Sequence, residues 1–336
     1  MKPFFPKHLC SSLAILVALL VGCQSRDPKV LKRTQFLMGT LVEITLVAHD
    51  NKTTAHAIKG AFQEIQRIEK LMSRRLEGSE VWQVNQAAGK SRVVVSSELI
   101  SVIQAALEVS RLSDGAFDLT VGSLLSLWDR CRKEDRIPSG EEVVASLRLV
   151  GYRDLVLDEE KRTLLLRKAG MELTLGGIAK GYAVDRAFRF LRDLGFRDLI
   201  VNAGGDLRSG GTKFGTPWVV GIQDPRDGSK LLATISAKDC AVATSGDYER
   251  YFMKDGVRYH HILDPSTGFP ARRSRSATVL SDESILADAL ATATFVLGPE
   301  RGMALIDKRP GTEALIVDSQ GKVALSSGMG ERIRFQ

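Results

Sequence analysis

Two rhythms of apolar positions run along this chain. Over 34–47 (TQFLMGTLVEITLV) apolar and polar residues alternate, a period of two that predicts a strand. Over 53–72 the apolar residues Ala57, Ala61, Ile65, Ile68, Leu71 and Met72 recur at helical spacing, and 97–112 repeats that pattern. Residues 154–170 (DLVLDEEKRTLLLRKAG) are two β runs about an acidic, polar turn, which predicts a hairpin. A strand at 171–175 is expected to lead into a glycine-rich loop and then a helix ending near Leu194. Further strands are predicted at 198–202, 217–222, 231–236, 240–244, 258–263 and 276–280. A helix at 284–297, a short one near 300–307, and strands at 313–318 and 322–325 complete the series. Strands bunched in hairpins with helices inserted between them define an α+β fold, not a doubly wound sheet.

The N-terminus has a different character. Lys2 and Lys7 precede an apolar run from Leu13 to Val21, too short to span a bilayer comfortably, and Leu20-Val21-Gly22-Cys23 follows. A basic start, a short apolar core and small residues before a cysteine resemble a bacterial lipoprotein signal. The expectation is a signal peptide over 1–22, lipidation (palmitate) of Cys23, a polar tether over 23–33 and one domain over 34–336. The protein is then exported and lipid-anchored to a bacterial membrane, its periplasmic face favoured, with the choice of inner or outer membrane left open by Gln24. Removing residues 1–22, with two lysines and no acid, lowers the formal charge from +7 to +5. The basic residues are scattered and not interleaved with aromatics, so nucleic-acid binding is not expected. Only Cys131 and Cys240 remain in the folded part, and two cysteines make no disulfide framework.

Several stretches carry chemistry. LTLGGIAKGYAVDRA (173–187) places Gly176-Gly177 and Lys180 where a strand turns into a helix. It is neither a Walker A loop nor the G-x-G-x-x-G of a dinucleotide fold. Glycines admit close backbone approach, a helix N-terminus presents free N–H groups, and Lys180 adds a charge; a tight turn with a surface lysine fits equally. NAGGDLRSGG (202–211) pairs glycines again, ahead of an acid. GAFDLTVGSLLSLW (115–128) sets Asp118 among apolar residues, either as a structural hydrogen-bonded acid or as a ligand-reading one. Ser245-Gly246 suggests a backbone kink facing a ligand. A hairpin turning at Lys254-Asp255-Gly256 leads to His260 and His261, which alternate faces on a strand, so one of them at most faces a given cleft. One of the two suits a general base, and a polar strand end is the reading preferred for His260. Asp288 and Thr292, four apart on a helix, share a face and offer hard oxygens suited to Mg²⁺ or Ca²⁺.

The order of these stretches is more specific than any one of them. Met38-Gly39-Thr40, Met72-Ser73 with Ser79-Glu80 and Asn85, Gly115-x-Phe117-Asp118, Gly-Gly-Ile-Ala-Lys-Gly (176–181) and Asn-Ala-Gly-Gly-Asp (202–206) come first. Thr-Ser-Gly-Asp-Tyr (244–248), His-Ile-Leu-Asp-Pro-x-Thr-Gly (261–268) and Ala-Asp-Ala-x-Ala-Thr-Ala (287–293) follow. This series resembles the ApbE family, bacterial FAD:protein FMN transferases, over essentially all of 34–325. The resemblance implies a mostly antiparallel α+β fold. It also implies an enzyme that takes FAD as substrate, splits its pyrophosphate and joins FMN to a Thr or Ser of an acceptor protein, with AMP leaving. Acceptors in the family belong to exported redox systems and carry Asp-x-x-(Ser/Thr)-Gly-(Ala/Ser)-(Thr/Ser). By the same resemblance Gly177, Asp288 and Thr292 hold Mg²⁺ and His261 is the base. Met38, Arg75, Ala116, Phe117, Asp118, Thr174, Lys180, Ser245, Gly246 and Ile262 fall at FAD-binding positions. Two residues depart from the family pattern: Arg75 stands where an aromatic commonly stacks on flavin, and Thr174 where an Asp is common. Asp264-Pro-Ser-Thr267-Gly268 begins like an acceptor motif, but Phe269-Pro270 breaks it, so self-flavinylation is not expected. The alternatives are a carrier lipoprotein that binds FAD without transferring it, and a Mg²⁺-dependent FAD pyrophosphatase.

Overall fold

Met38 and Gly39 turn the first predicted strand back on itself. Both take positive φ (52° and 72°), and Leu37 pairs with Thr40 across the turn. Positive φ at both central residues is the hairpin turn whose twist matches the flanking strands. The single strand expected over 34–47 is therefore two, β1 (Lys29–Leu37) and β2 (Thr40–Ala48). β1 begins inside the stretch expected to be a tether, because Lys29 to Arg33 pair with Ala48 to Ile44. The structure, a computed structural model, describes Met1 and residues 27–336. The signal and Cys23 lie outside the described residues.

β1 and β2 open an eight-stranded antiparallel sheet. It continues in the order β6 (Leu199–Ala203), β7 (Asp206–Gly210), β10 (Ala241–Gly246), β13 (Ser274–Ser281), β14 (Glu313–Asp318) and β15 (Val323–Leu325). Period-two alternation gives each strand two uses. On β10, Ala241 and Ala243 face one core while Val242 faces the other; on β13, Val279 and Leu280 divide likewise. One face carries the helices α1 (Lys52–Met72), α3 (Ser97–Leu112), α6 (Ala179–Asp193) and α7 (Ser284–Ile306). Ile65, Ile68, Leu99 and Ile103 are fully buried there. Each such side chain contributes roughly 1.5–3 kcal/mol. The other face is covered by a small sheet of β8 (Trp218–Gln223), β9 (Leu231–Ala237) and β16 (Ile333–Phe335). Mostly antiparallel sheets with inserted helices make this the α+β fold read from the pattern.

Shorter elements complete the fold: α2 (Glu80–Gln86), α4 (Gly122–Lys133), α5 (Gly140–Leu147), and a sheet of β3 (Val93–Val94), β4 (Leu155–Asp158) and β5 (Thr163–Leu166). The hairpin β11 (Tyr251–Lys254) and β12 (Val257–His260) turns at Asp255-Gly256, both with positive φ. The strand expected at 171–175 does not form; a single parallel bridge joins Val121 to Glu172. A side chain and a neighbouring loop satisfy this backbone instead of a partner strand. Leu173 N–H donates to Asn85 Oδ1 at 2.6 Å, Asn85 Nδ2 donates back to Leu173 O at 3.0 Å, and Thr174 N–H donates to Leu119 O at 2.8 Å. Cys131 and Cys240 are both free and buried.

Candidate active site

The glycine-rich loop enters α6 without a side-chain cap on its first residue. The cap comes from another helix: Gly181 N–H donates to Asp288 Oδ2 at 3.0 Å, from α7. α6 returns the contact. Asp185 accepts from the Ser284 and Ile285 N–H groups at 3.1 and 2.9 Å, where α7 also lacks a cap of its own. Two helix N-termini thus cap each other, and each carboxylate meets a positive dipole end. Gly181 permits the approach, since a Cβ there would run into the Ser284 carbonyl and Asp288 Cβ. Arg208 on β7 neutralises the fully buried Asp185 at 2.6 Å.

This crossing brings polar groups of α6, α7, β7 and β10 together. Asp288 is 4% exposed, and its other oxygen, Oδ1, lies 3.8 Å from Lys180 Nζ. Burial first pushes its carboxyl above the usual range, and the Lys180 cation pulls it back. Lys180 is also bonded to Asp206, which is buried at the start of β7. One helical turn past Asp288, Thr292 Oγ1 lies 3.2 Å from Ser245 Oγ at the end of β10. Gly177 adjoins Thr292 and Phe117: a Cβ there would sit 3.1 Å from Thr292 Oγ1 and 3.1 Å from the Phe117 ring. Gly246 follows Ser245 as the last residue of β10, paired with Ser276, and the Tyr248 ring fills the space beside it; it continues the strand and does not kink it.

The two histidines divide as alternation requires. His260 is buried, with Nε2 2.7 Å from Ala271 O and Nδ1 accepting from Ile262 N–H at 3.3 Å, so both ring nitrogens are used. His261 is exposed, and its Nδ1 lies 3.2 Å from the Arg250 carbonyl. Its pKa is lowered to about 3, by desolvation among the walls around it and then by the Arg250 charge, with Lys180 adding to the effect. The direction of these effects favours the neutral imidazole. The Lys180 and Arg250 charges also act on Asp288, lowering its carboxyl against burial.

Other expected ligand positions lie around this centre. Ile262 is buried against Ala271, Ala277, Phe295, Val296 and Ile316, with Ala116 packed beside it. Asp118 is held by three hydrogen bonds: Oδ1 accepts from Thr120 N–H and hydroxyl at 2.7 and 2.6 Å, and Oδ2 accepts from Tyr152 N–H at 2.8 Å. Its carboxyl shapes the loop that carries Phe117, and burial raises its pKa against those bonds. Thr174 Oγ1 accepts from Gly176 N–H at 3.3 Å and so sets the entry to the loop. Met38 lies in the β1–β2 turn; the next residue but one, Thr40, packs on Gly204, in the turn that precedes Asp206. Arg75 points outward to Asp129 at 2.6 Å on α4, and no contact joins it to the Lys180–Asp288 group. Sequence reasoning left Asp185, Asp206 and Arg250 without roles. Asp206 was visible in the Gly-Gly-Asp stretch; Asp185 and Arg250 acquire meaning only from the packing.

With this geometry in place, comparison with known proteins is direct. The model of the ApbE family matches residues 38–316. A FAD:protein FMN transferase of Treponema pallidum is 34% identical, covering 96% of this chain and 95% of its own. One from Klebsiella pneumoniae is 35% identical, covering 92% and 95%. The crystal structure of the Thermotoga maritima ApbE protein superposes with a TM-score of 0.84 at 39% identity, over 91% of this chain and 100% of that one. The flavin transferase ApbE from Vibrio cholerae gives 0.82 at 30% identity, over 91% and 99%. The chain belongs to the ApbE family and is an enzyme of that family.

Proposed function

We propose that this protein transfers FMN from FAD to a threonine or serine hydroxyl of an exported acceptor protein, with release of AMP and dependence on Mg²⁺. The names of the relatives support the flavin chemistry. The observation that carries the reading is the state of His261. A carbonyl oxygen only accepts, so the contact with Arg250 O requires Nδ1–H and leaves Nε2 free to accept a proton. A neutral imidazole with a free Nε2 suits the deprotonation of an incoming hydroxyl.

The donor set fits Mg²⁺. Asp288 and Thr292, one helical turn apart, offer hard oxygens, and Gly177 lies against the Thr292 hydroxyl. In this reading Asp288, the Thr292 hydroxyl and the Gly177 carbonyl hold the ion, whose charge would neutralise phosphate oxygens. The chain's own residues do the remaining work. Lys180, fixed by Asp206, holds the pyrophosphate electrostatically, and the glycine loop lets it approach closely. His261 Nε2 takes the acceptor hydroxyl's proton. Met38, Ala116 and Phe117 border the flavin end. Lipid anchorage through Cys23 would place the reaction at a bacterial membrane, where exported acceptors carrying the Asp-x-x-(Ser/Thr)-Gly-(Ala/Ser)-(Thr/Ser) sequence are met.

The test incubates residues 24–336 with FAD, Mg²⁺ and an acceptor domain carrying that sequence. Mass spectrometry should find one FMN phosphodiester on the acceptor, abolished by EDTA. AMP and free FMN with an unmodified acceptor would replace the reading with a pyrophosphatase. Intact bound FAD would leave a carrier.

A further inference from the structure

Arg250 precedes the β11–β12 hairpin, and its backbone carbonyl accepts from both the N–H and the ring Nδ1 of His261, at 3.0 and 3.2 Å. Its side chain is exposed, and among the described residues it makes no ion pair or hydrogen bond through its guanidinium. That is unusual in this neighbourhood. Arg226 and Arg258 both pair with Asp247, at 2.7 and 3.1 Å, and Lys180 is held by Asp206. An unpaired guanidinium is thus carried by the residue whose carbonyl orients the base, and its charge acts on both His261 and Asp288. Its planar fork of donors matches two oxygens of one phosphate.

We propose that Arg250 is a substrate-contacting cation that grips the non-bridging oxygens of the phosphate being transferred. This rests on the transferase reading. In the step, the acceptor hydroxyl oxygen forms a bond to the phosphorus next to the flavin ribityl chain. His261 Nε2 takes the hydroxyl proton. The bond from that phosphorus to the bridging oxygen breaks, and its electron pair leaves with AMP. The transferred phosphoryl group needs a counter-charge, and Arg250, whose carbonyl holds His261, is the cation next to the base.

The experiment compares Arg250→Gln and Arg250→Lys with the parent enzyme in three measurements. FMN transfer to an acceptor domain should fall about 10²-fold in Arg250→Gln, with partial recovery in Arg250→Lys. Binding of FAD, read by flavin fluorescence, should weaken about tenfold in Arg250→Gln, whereas riboflavin, which has no phosphate, should bind as before. The thermal midpoint should not move, because the side chain is exposed and unpaired. Unchanged FAD binding, or equal weakening for FAD and riboflavin, overturns the proposal. If the parent enzyme transfers no FMN, the transferase reading fails, and the FAD-against-riboflavin comparison still decides what Arg250 grips.

Discussion

Asp288 has two separable tasks, and substitutions can divide them. Its Oδ2 caps α6, while Oδ1 faces Lys180 and the space assigned to the metal. In Asp288→Asn the amide oxygen can still accept from Gly181 N–H, but the charge is gone. Transfer should fall on the order of 10²-fold with little change in the thermal midpoint. Asp288→Ala also leaves Gly181 N–H without its acceptor and should cost a further 1–3 kcal/mol, approximately, in urea unfolding. Equal melting of the two variants would mean that the cap is not the stabilising part. His261 gives a second prediction at this scale. Its pKa lies below the ordinary 6.5, so the active neutral form persists as the medium is acidified and is lost only when pH falls through the lowered value. The acid limb of kcat/KM should therefore lie below pH 6.5. A limb at or above 6.5 would show that desolvation does not govern this ring.

The mutual capping of α6 and α7 explains both what the pattern revealed and what it hid. Helical spacing announced both helices, and the Gly-Gly-Ile-Ala-Lys-Gly order marked the loop, since these signals are local. The kink in α7 was legible too: Gly298 takes φ 78° and Pro299 follows, which separates the helices read at 284–297 and 300–307. α4 and α5 were not read, because they pack on each other through Leu127, Cys131, Val143 and Leu147, in small clusters apart from the main core. The strand at 171–175 was over-read, because its apolar run serves burial while Asn85 takes its hydrogen bonds. Asp185 in isolation looked like an ordinary helix acid. The structure makes it the α7 cap and the partner of Arg208, and this is testable at the element scale. Asp185→Ala leaves Arg208 without its buried partner and should cost about 3–5 kcal/mol, a drop of roughly 6–10 °C in midpoint. Asp185→Asn, which keeps an acceptor for the α7 N–H groups, should lose less. Identical losses would mean that the charge, not the cap, holds α7 in place.

For the whole molecule, the helical layer is tied by a charge cluster that spans three helices. Arg67 on α1 bonds Glu64 at 2.9 Å and Glu98 on α3 at 2.6 Å; Arg186 on α6 reaches Glu64 at 3.0 Å, and the Tyr182 hydroxyl donates to Glu98 at 2.7 Å. The hydrogen bond from Arg67 leads the causes that lower the Glu64 carboxyl to about 2, against desolvation acting the other way, and Glu98 shifts in the same direction. Lowered folded values mean that the unfolded chain binds more protons between about pH 4.5 and 2. The stability that Glu64 contributes is thus complete above its ordinary value of 4.5 and drains away as pH falls toward 2. Asp118 and Asp185, raised by burial, work in the opposite sense and oppose this loss. Glu64→Gln isolates the cluster, because it keeps the shape and removes the charge. The difference in unfolding free energy between parent and variant should be on the order of 1 kcal/mol at pH 7, after solvent screening. It should narrow steadily once the pH passes below about 4.5. A difference that stays constant from pH 7 to pH 3 would separate the packing of α1 on α6 from this ion cluster. The acid sensitivity of the fold would then belong to some other set of carboxylates.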